Sequence, residues 1–173
     1  PCLETDTISK LKFGDGSTAY NSLPYFGSGK QTIYIPASGL IPATTNGAAT
    51  AQLESTTNKI NYAVLDFDGT TAEYAHFNVA MPKGWDEGTI TFQACWQTAN
   101  TGTAGVAWGL QGIAASDGDT IDTAFGTAIY VTDAGQSSAA KQYWTAESAA
   151  VTIGGTPAEG DLVYFRLSRD PSN

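Results

Sequence analysis

The sequence predicts an all-β fold, specifically an antiparallel β-sandwich of jelly-roll type, over residues 31–173. About eight short segments alternate apolar and polar residues with the two-residue period of a half-buried strand. Glycine, proline, asparagine and aspartate separate these segments at turns, as in known sandwiches. Only 14% of the residues are charged and 19 are glycine, a composition that disfavours long helices.

The first half of this domain contains short predicted strands between loops. Residues 32–35 form a brief strand that Pro36 ends, and residues 37–61 are loops with one small hairpin at Asn46-Gly47. Further strands cover residues 62–68 and 73–81. In the second of these, alternate residues share a face, with Ala75, Phe77, Val79 and Met81 on one side and His76, Asn78 and Ala80 on the other.

The second half continues the same period with more apolar strands. Strands are predicted at residues 89–97, 106–110, 128–132, 149–153 and 161–168. Leu162–Phe165 is apolar throughout, which indicates a strand buried on both faces. Residues 120–125 predict one or two turns of helix. The residues predicted to face the core from the first two strands are Ile90, Phe92, Ala94, Trp96, Val106, Trp108 and Leu110.

Residues 1–30 form a separate N-terminal stem, or attachment segment, that ends in the flexible joint Gly27–Lys30. Inside it, Gly14-Asp15-Gly16 predicts a tight turn between apolar flanks. The run 11–26 resembles a segment of bacteriophage fibre proteins that lies between the particle-attachment region and the distal domain. Tyr20 stands where those proteins more usually have Trp. We expect these stem residues to contact sister subunits or the capsid: Leu11, Phe13, Tyr20, Leu23, Tyr25 and Phe26.

The segment 33–169 is also similar to a family of small structural proteins of tailed phages and prophages. The similarity lies in residues 33–36, 45–48, 65–68, 81–85, 88–93, 105–110 and 119–122. It implies a protein of the virion, of fibre or capsid-decoration type, with capsid or tail proteins as partners and no catalytic residue to carry over. We expect a homotrimer, because three short stems around one axis bury apolar strips that one thin stem leaves exposed. A host surface glycan is a further candidate partner.

The charge and the cysteine count exclude several classes of protein. A net charge of −9 and a pI near 4.3 predict a surface that binds neither nucleic acid nor anionic membranes. No apolar run is long enough to cross a bilayer. Cys2 and Cys95 are too few for a disulfide scaffold or a zinc site, and we predict two free thiols.

Asp117, Asp119 and Asp122 form the densest acidic cluster and are weak candidates for a metal site. Their spacing offers several oxygens to Ca²⁺, although the EF-hand pattern is absent. The alternative is a turn followed by a capped short helix, with Asp119 or Thr120 at the N-cap.

A second acidic set, Asp66, Asp68 and Glu73, meets the simplest requirement of a glycoside hydrolase, two nearby carboxylates. The alternative is structural, since Asp68 precedes Gly69 and fits a turn. His76 is the only histidine, and neither a nucleophile elbow nor a phosphate-binding loop is present. We therefore predict no enzyme and no cofactor.

The exposed aromatic residues are candidates for a partner surface. Trp96 and Trp108 fall in the apolar phase of their strands and are predicted to be core. Trp85 lies in a loop and Trp144 near the start of a strand. Together with Tyr25 and Tyr130, they would contact another subunit or stack on a sugar ring. A carbohydrate-binding module, which shares the sandwich architecture, is therefore the alternative function.

Overall fold

The computed structural model describes residues 31–136 and 141–172. The chain divides into two compact units, residues 1–34 and 35–173, and the description below concerns the second. It contains a 3-10 turn at Ala37–Gly39 and these strands: β1 (Ile41–Pro42), β2 (Ala49–Glu54), β3 (Asn61–Asp66), β4 (Glu73–Ala80), β5 (Cys95–Trp96), β6 (Gly105–Ala115), β7 (Ile129–Ala134), β8 (Tyr143–Trp144), β9 (Ile153–Gly154) and β10 (Leu162–Arg169).

A six-stranded sheet is the main layer. Its strand order is β1-β4-β10-β6-β7, and the short β9 pairs with β6 beyond the start of β7. β10 lies between β4 and β6 and is antiparallel to both, in register over all eight of its residues. The pairing of β9 with β6 is parallel, so the sheet is not purely antiparallel.

The second layer is an irregular pair made by residues 90–96 and 143–151. Main-chain hydrogen bonds join Ile90 to Val151, Phe92 to Ser148 and Ala94 to Thr145. The segment 143–151 has nine residues and its partner 90–96 has only seven. The two extra residues form bulges at Thr145 and Ser148. At each bulge a hydroxyl replaces a carbonyl as acceptor. The amide of Ala94 donates to Thr145 Oγ1 (3.0 Å), and the amide of Phe92 donates to Ser148 Oγ (3.1 Å).

The hydrophobic core lies between these two layers. One buried cluster contains Leu110, Ile153, Val163 and Phe165, and the other contains Ala94, Val106 and Trp108. Phe92 and Leu167 pack against both clusters, which makes the core continuous. Aromatic contacts stabilise each part, with Phe77 stacked on Phe165 at 4.9 Å and Phe67 edge-on to Trp108 at 5.1 Å.

β2 and β3 form a separate two-stranded hairpin. They pair in register from Ala49 opposite Asp66 to Glu54 opposite Asn61. Five of the six residues of β2 and four of the six of β3 are exposed. The side chains of Leu53 and Tyr62 lie opposite each other on one face of this hairpin.

The all-β prediction is confirmed, and the predicted faces of β4 and of residues 89–97 are correct. Ala75 is buried, Phe77, Val79 and Met81 pack against the core, and Ile90, Phe92, Ala94 and Trp96 point inward. Jelly-roll connectivity stays a prediction, because the layer facing the large sheet includes only one pair of two-residue strands.

Four local predictions were wrong. Residues 37–61 are not all loop, because they include β1 and the six residues of β2, whose side chains are mostly exposed and therefore show no alternation. Residues 120–125 form no helix; two threonines there make short-range turn bonds, and Phe125 is used to cover the sheet. Residues 32–35 form no strand, and Ile41 is the first described residue to pair with the large sheet. Asn46-Gly47 is a turn but not a hairpin, because both of its arms bond to Tyr74 of β4 instead of to each other.

Candidate functional site

The outer face of the large sheet, away from the core, carries the larger of two surface cavities in the described part of the chain. The register places His76 of β4 opposite Arg166 of β10, and Asn78 opposite Tyr164. On the other side of β10, Tyr164 lies opposite Ile113 of β6. Alternation along the strands sends all of these side chains to the face opposite Phe77 and Phe165.

A cavity of about 390 Å³ lies on this face, and we call it the outer pocket. Its volume is within the range of small-molecule sites, about 300–1,000 Å³. Its floor is Ile113, which is buried. Its walls are apolar and its rim carries polar tips, the other lining residues being Ile41, Ile121, Phe125, His76, Phe77, Asn78 and Tyr164.

Arg166 lies beside the outer pocket, in contact with Phe125, which lines it, and with Tyr74, which does not. Its guanidinium carbon lies 4.9 Å from the ring centroid of Tyr74 and 4.9 Å from that of Phe125. Such cation–π contacts stabilise a partly desolvated charge. The Nε atom is buried and has no hydrogen-bond partner, and within the described part of the chain Arg166 forms no ion pair.

His76 is held between the sheet and the loop that carries Phe125. The two rings lie 6.0 Å apart. Burial lowers the pKa of His76 from its usual 6.5, and the positive charge of Arg166 lowers it further. The imidazole is therefore kept in its neutral form, in which one ring nitrogen can accept a hydrogen bond and the other can donate one.

The acidic set predicted at Asp66, Asp68 and Glu73 does meet, in a second and shallower cavity of about 320 Å³. The Asp68 carboxylate accepts from both the amide and the hydroxyl of Thr70 and from the amide of Thr71. These bonds lower the pKa of Asp68, whereas a general acid needs a raised one. Glu73 accepts the amide of Asp68 at 2.6 Å. Asp68 and Glu73 therefore close a turn, which Arg169 also supports by donating to the Asp68 carbonyl, while Asp66 ends β3 and lines the same cavity.

The acidic cluster at Asp117, Asp119 and Asp122 is an exposed turn. The amide of Ser116 donates to Asp119 Oδ2 at 2.9 Å, and Gly118 takes the positive φ of +86° that this turn requires. Across residues 31–136 and 141–172, no group of three or more metal-ligating side chains has the arrangement of a metal site.

The three candidate aromatic residues in the described part of the chain do not share a surface. Tyr143 packs inward on Trp96, so its neighbour Trp144, 51% exposed, faces outward from the second layer. Tyr130 covers Gly109 on the outer face of the large sheet, on the other side of the core. Trp85 packs against the core, with its Nε1 buried and unpartnered among the described residues.

The other residues singled out in the sequence are those of the stem and the two cysteines. The stem residues Leu11, Phe13, Tyr20, Leu23, Tyr25 and Phe26 lie outside the described residues, as does Cys2. The Cys95 thiol is free, and partial burial raises its pKa. Within the described ranges, no helix is both long enough and apolar enough to cross a bilayer.

Comparison of the chain with protein-family models, with curated proteins and with solved structures found no match. The site is therefore interpreted from its own residues. Sequence reasoning placed His76 opposite Phe77 but did not find the outer pocket. Its one local signal was Arg166, a charge in the middle of the apolar strand β10.

Proposed function

We propose that this protein is a non-enzymatic structural component of a tailed-bacteriophage virion. In this proposal it is a homotrimeric fibre or capsid-decoration protein that projects from the particle. The resemblance of residues 11–26 and 33–169 to phage structural proteins supports this function. So does the domain's construction, two β layers around an apolar and aromatic core, which suits a mechanical role.

The structural observation that favours assembly is the β2–β3 hairpin. A two-stranded hairpin is marginally stable in water unless a further strand or layer packs on it. Here most strand residues are exposed, and Leu53 and Tyr62 remain 40% and 36% exposed while lying opposite each other. The adjoining loop adds Ile60, which is 61% exposed. A sister subunit packed on this face would bury the apolar side chains and stabilise the hairpin.

The oligomeric state tests the proposal directly. We expect the full chain to sediment as a trimer at micromolar concentration. Leu53→Lys places a charge on the apolar face of the hairpin and should shift the protein towards monomer. Gln52→Lys is the matched control, because Gln52 is the neighbouring exposed residue and points to the opposite face. A wild-type monomer would contradict the trimer.

The location in the virion needs a separate experiment. Antibody labelling of purified particles, followed by image reconstruction, should place the protein on the outside of the head or tail. Its absence from purified particles would contradict the virion role, whatever its oligomeric state.

A carbohydrate-binding module is the second candidate function, and the outer pocket is the observation that favours it. Such a module would bind glycans without being part of a particle. The predicted platform of Trp85, Tyr130 and Trp144 does not support it, since these side chains lie on different faces. Glycan binding by a protein that is absent from virions would favour this second function over the first.

A further inference from the structure

We propose that the outer pocket binds a carboxylated sugar, with Arg166 as the partner of the sugar carboxylate. The inference rests on the outer pocket and on Arg166 beside it, and it stands whether or not the protein belongs to a virion.

The charge of the site favours an anion. The chain carries a net charge of −9, yet Arg166 is left without an ion pair among the described residues. No acidic side chain lines the outer pocket, and its one titratable imidazole is kept neutral. An anionic ligand in the outer pocket would therefore lie beside an unneutralised cation and face no lining carboxylate.

The geometry of Arg166 favours an anion that presents two oxygens side by side, as a carboxylate or a phosphate does. The rings of Tyr74 and Phe125 contact the guanidinium, and Nε is buried. Arg166 is nevertheless partly exposed, so the terminal N–H groups are the donors that a ligand can reach. Those donors lie in the plane of the guanidinium and match the two oxygens of a carboxylate.

The lining of the outer pocket favours a sugar as the carrier of that carboxylate. A pyranose ring has a C–H face, which packs on aromatic and aliphatic side chains, and hydroxyl groups around its edge. Phe125, Ile113 and Ile121 supply the apolar surface. His76 and Asn78 supply donors and acceptors at the rim. A bare inorganic anion would leave the apolar surface unused, and a fatty acid would leave the polar rim unused.

The sheet edge beside the outer pocket disfavours an extended peptide. Peptides commonly bind a sheet by adding a strand to its free edge. The edge strand here is β1, which has only two residues, Ile41 and Pro42. Proline has no N–H to donate to an added strand. An acidic peptide also carries carboxylates, so the experiment includes one as a competitor.

The test uses trigalacturonate as the probe, with its fully methyl-esterified form as the matched neutral ligand. Binding to the full chain is measured by isothermal titration and by saturation-transfer NMR. We expect trigalacturonate to bind and the ester to bind at least about tenfold more weakly, because the ester cannot accept a charge-assisted bidentate bond. Triglutamate should not compete for the site.

Variants assign the binding to the outer pocket. Arg166→Met keeps an aliphatic side chain between the rings and removes the charge, and it should weaken trigalacturonate binding about tenfold or more. Arg166→Lys keeps the charge but loses the planar fork, so it should also bind more weakly. Asn78→Ala, at an exposed position, should reduce affinity severalfold. Trp144→Ala, on the opposite side of the core, should have no effect.

Several results would overturn the proposal. They are absence of trigalacturonate binding, equal binding of the ester, equal competition by triglutamate, or a loss of binding in Trp144→Ala with none in Arg166→Met. The ester comparison needs no variant, so the proposal can be refuted even where an Arg166 substitution impairs folding. None of these results bears on the trimer or on the location in the virion.

Discussion

Replacing the Thr145 hydroxyl tests how the second layer is held together. Thr145 is 2% exposed, and its Oγ1 accepts from the amide of Ala94 and donates to the carbonyl of Ala146 at 2.8 Å. Thr145→Val preserves the shape of the side chain and removes both bonds. The Ala94 amide is then buried without a partner, because the bulge carries the nearest main-chain carbonyl out of reach. The carbonyl of Ala146 belongs to an exposed residue and can bond to water instead.

The loss of stability comes from the Ala94 amide, which is buried, and not from the Ala146 carbonyl, which water can reach. An unsatisfied buried amide costs about 1–3 kcal/mol, so we expect Thr145→Val to lower the free energy of unfolding by about 2 kcal/mol. In a domain of this size each kcal/mol lowers Tm by about 2–4 °C, which gives a shift of about 4–8 °C. Thr145→Ser is the control. It keeps the hydroxyl and removes one methyl group, at a cost of about 0.8 kcal/mol.

Two measurements check the reasoning. Thermal unfolding should rank wild type above Thr145→Ser and Thr145→Ser above Thr145→Val. Amide hydrogen exchange should be faster at Ala94 in the valine variant than in the serine variant. An unchanged Tm in Thr145→Val, or a larger loss in Thr145→Ser, would show that packing and not the hydroxyl holds this layer.

Three further predictions concern the core, a turn and the outer face. Phe165→Ala removes a core ring that is 2% exposed and should cost about 3–5 kcal/mol in urea unfolding, so a loss below 1 kcal/mol would contradict the core assignment. Gly47→Ala should abolish cooperative unfolding, because its Cβ would lie 2.0 Å from the Ala43 carbonyl oxygen, whereas Gly84→Ala, with no atom within 4 Å, should behave as wild type. NMR titration of His76 should give a pKa below 6.5. Because the unfolded chain then takes up its proton first, the free energy of unfolding should fall as the pH drops through 6.5. His76→Gln should remove this part of the decline, whereas the part that Asp68 causes towards pH 3.8 and below should remain.

The faces of single strands were predictable because the two-residue period is local. In β4 and at Met81 directly after it, the alternation that starts at Ala75 assigns each side chain to one face without any knowledge of its partners. The same holds from Ile90 to Trp96, although only Cys95–Trp96 is regular strand. The alternating direction of the side chains is thus kept in this segment, although its main-chain hydrogen bonding is irregular.

Pairing between distant segments was not predictable from these patterns. β2 was missed because most of its residues are exposed, so burial imposes no alternation on them. The bulges at Thr145 and Ser148 were missed because two hydroxyls replace main-chain acceptors there. Asn46-Gly47 was recognised as a turn, but the hairpin assigned to it was wrong, since Tyr74 bonds to both arms.

The candidate site was not predictable for the same reason. Its residues come from β1, β4, β6, β10 and the 121–125 loop, and only the register of β10 against β4 brings Arg166 beside His76. Because a helix was predicted over residues 120–125, the contacts of Phe125 with His76 and Arg166 were not expected. A helical propensity in this loop is overridden by the contacts that the Phe125 ring makes with the sheet.

The outer pocket exists because single aromatic rings cover the outer face of the large sheet. Ala107 and Ile113 are 3% and 4% exposed although both point away from the core. Part of this cover is Tyr130, which packs so closely on Gly109 that a Cβ there would lie 2.6 Å from its ring. Phe125 covers the region near His76. The rings of Tyr130 and Phe125 cover less of the sheet than a third layer of strands would. A gap, the outer pocket, therefore remains above Ile113, and a ligand can reach the sheet there.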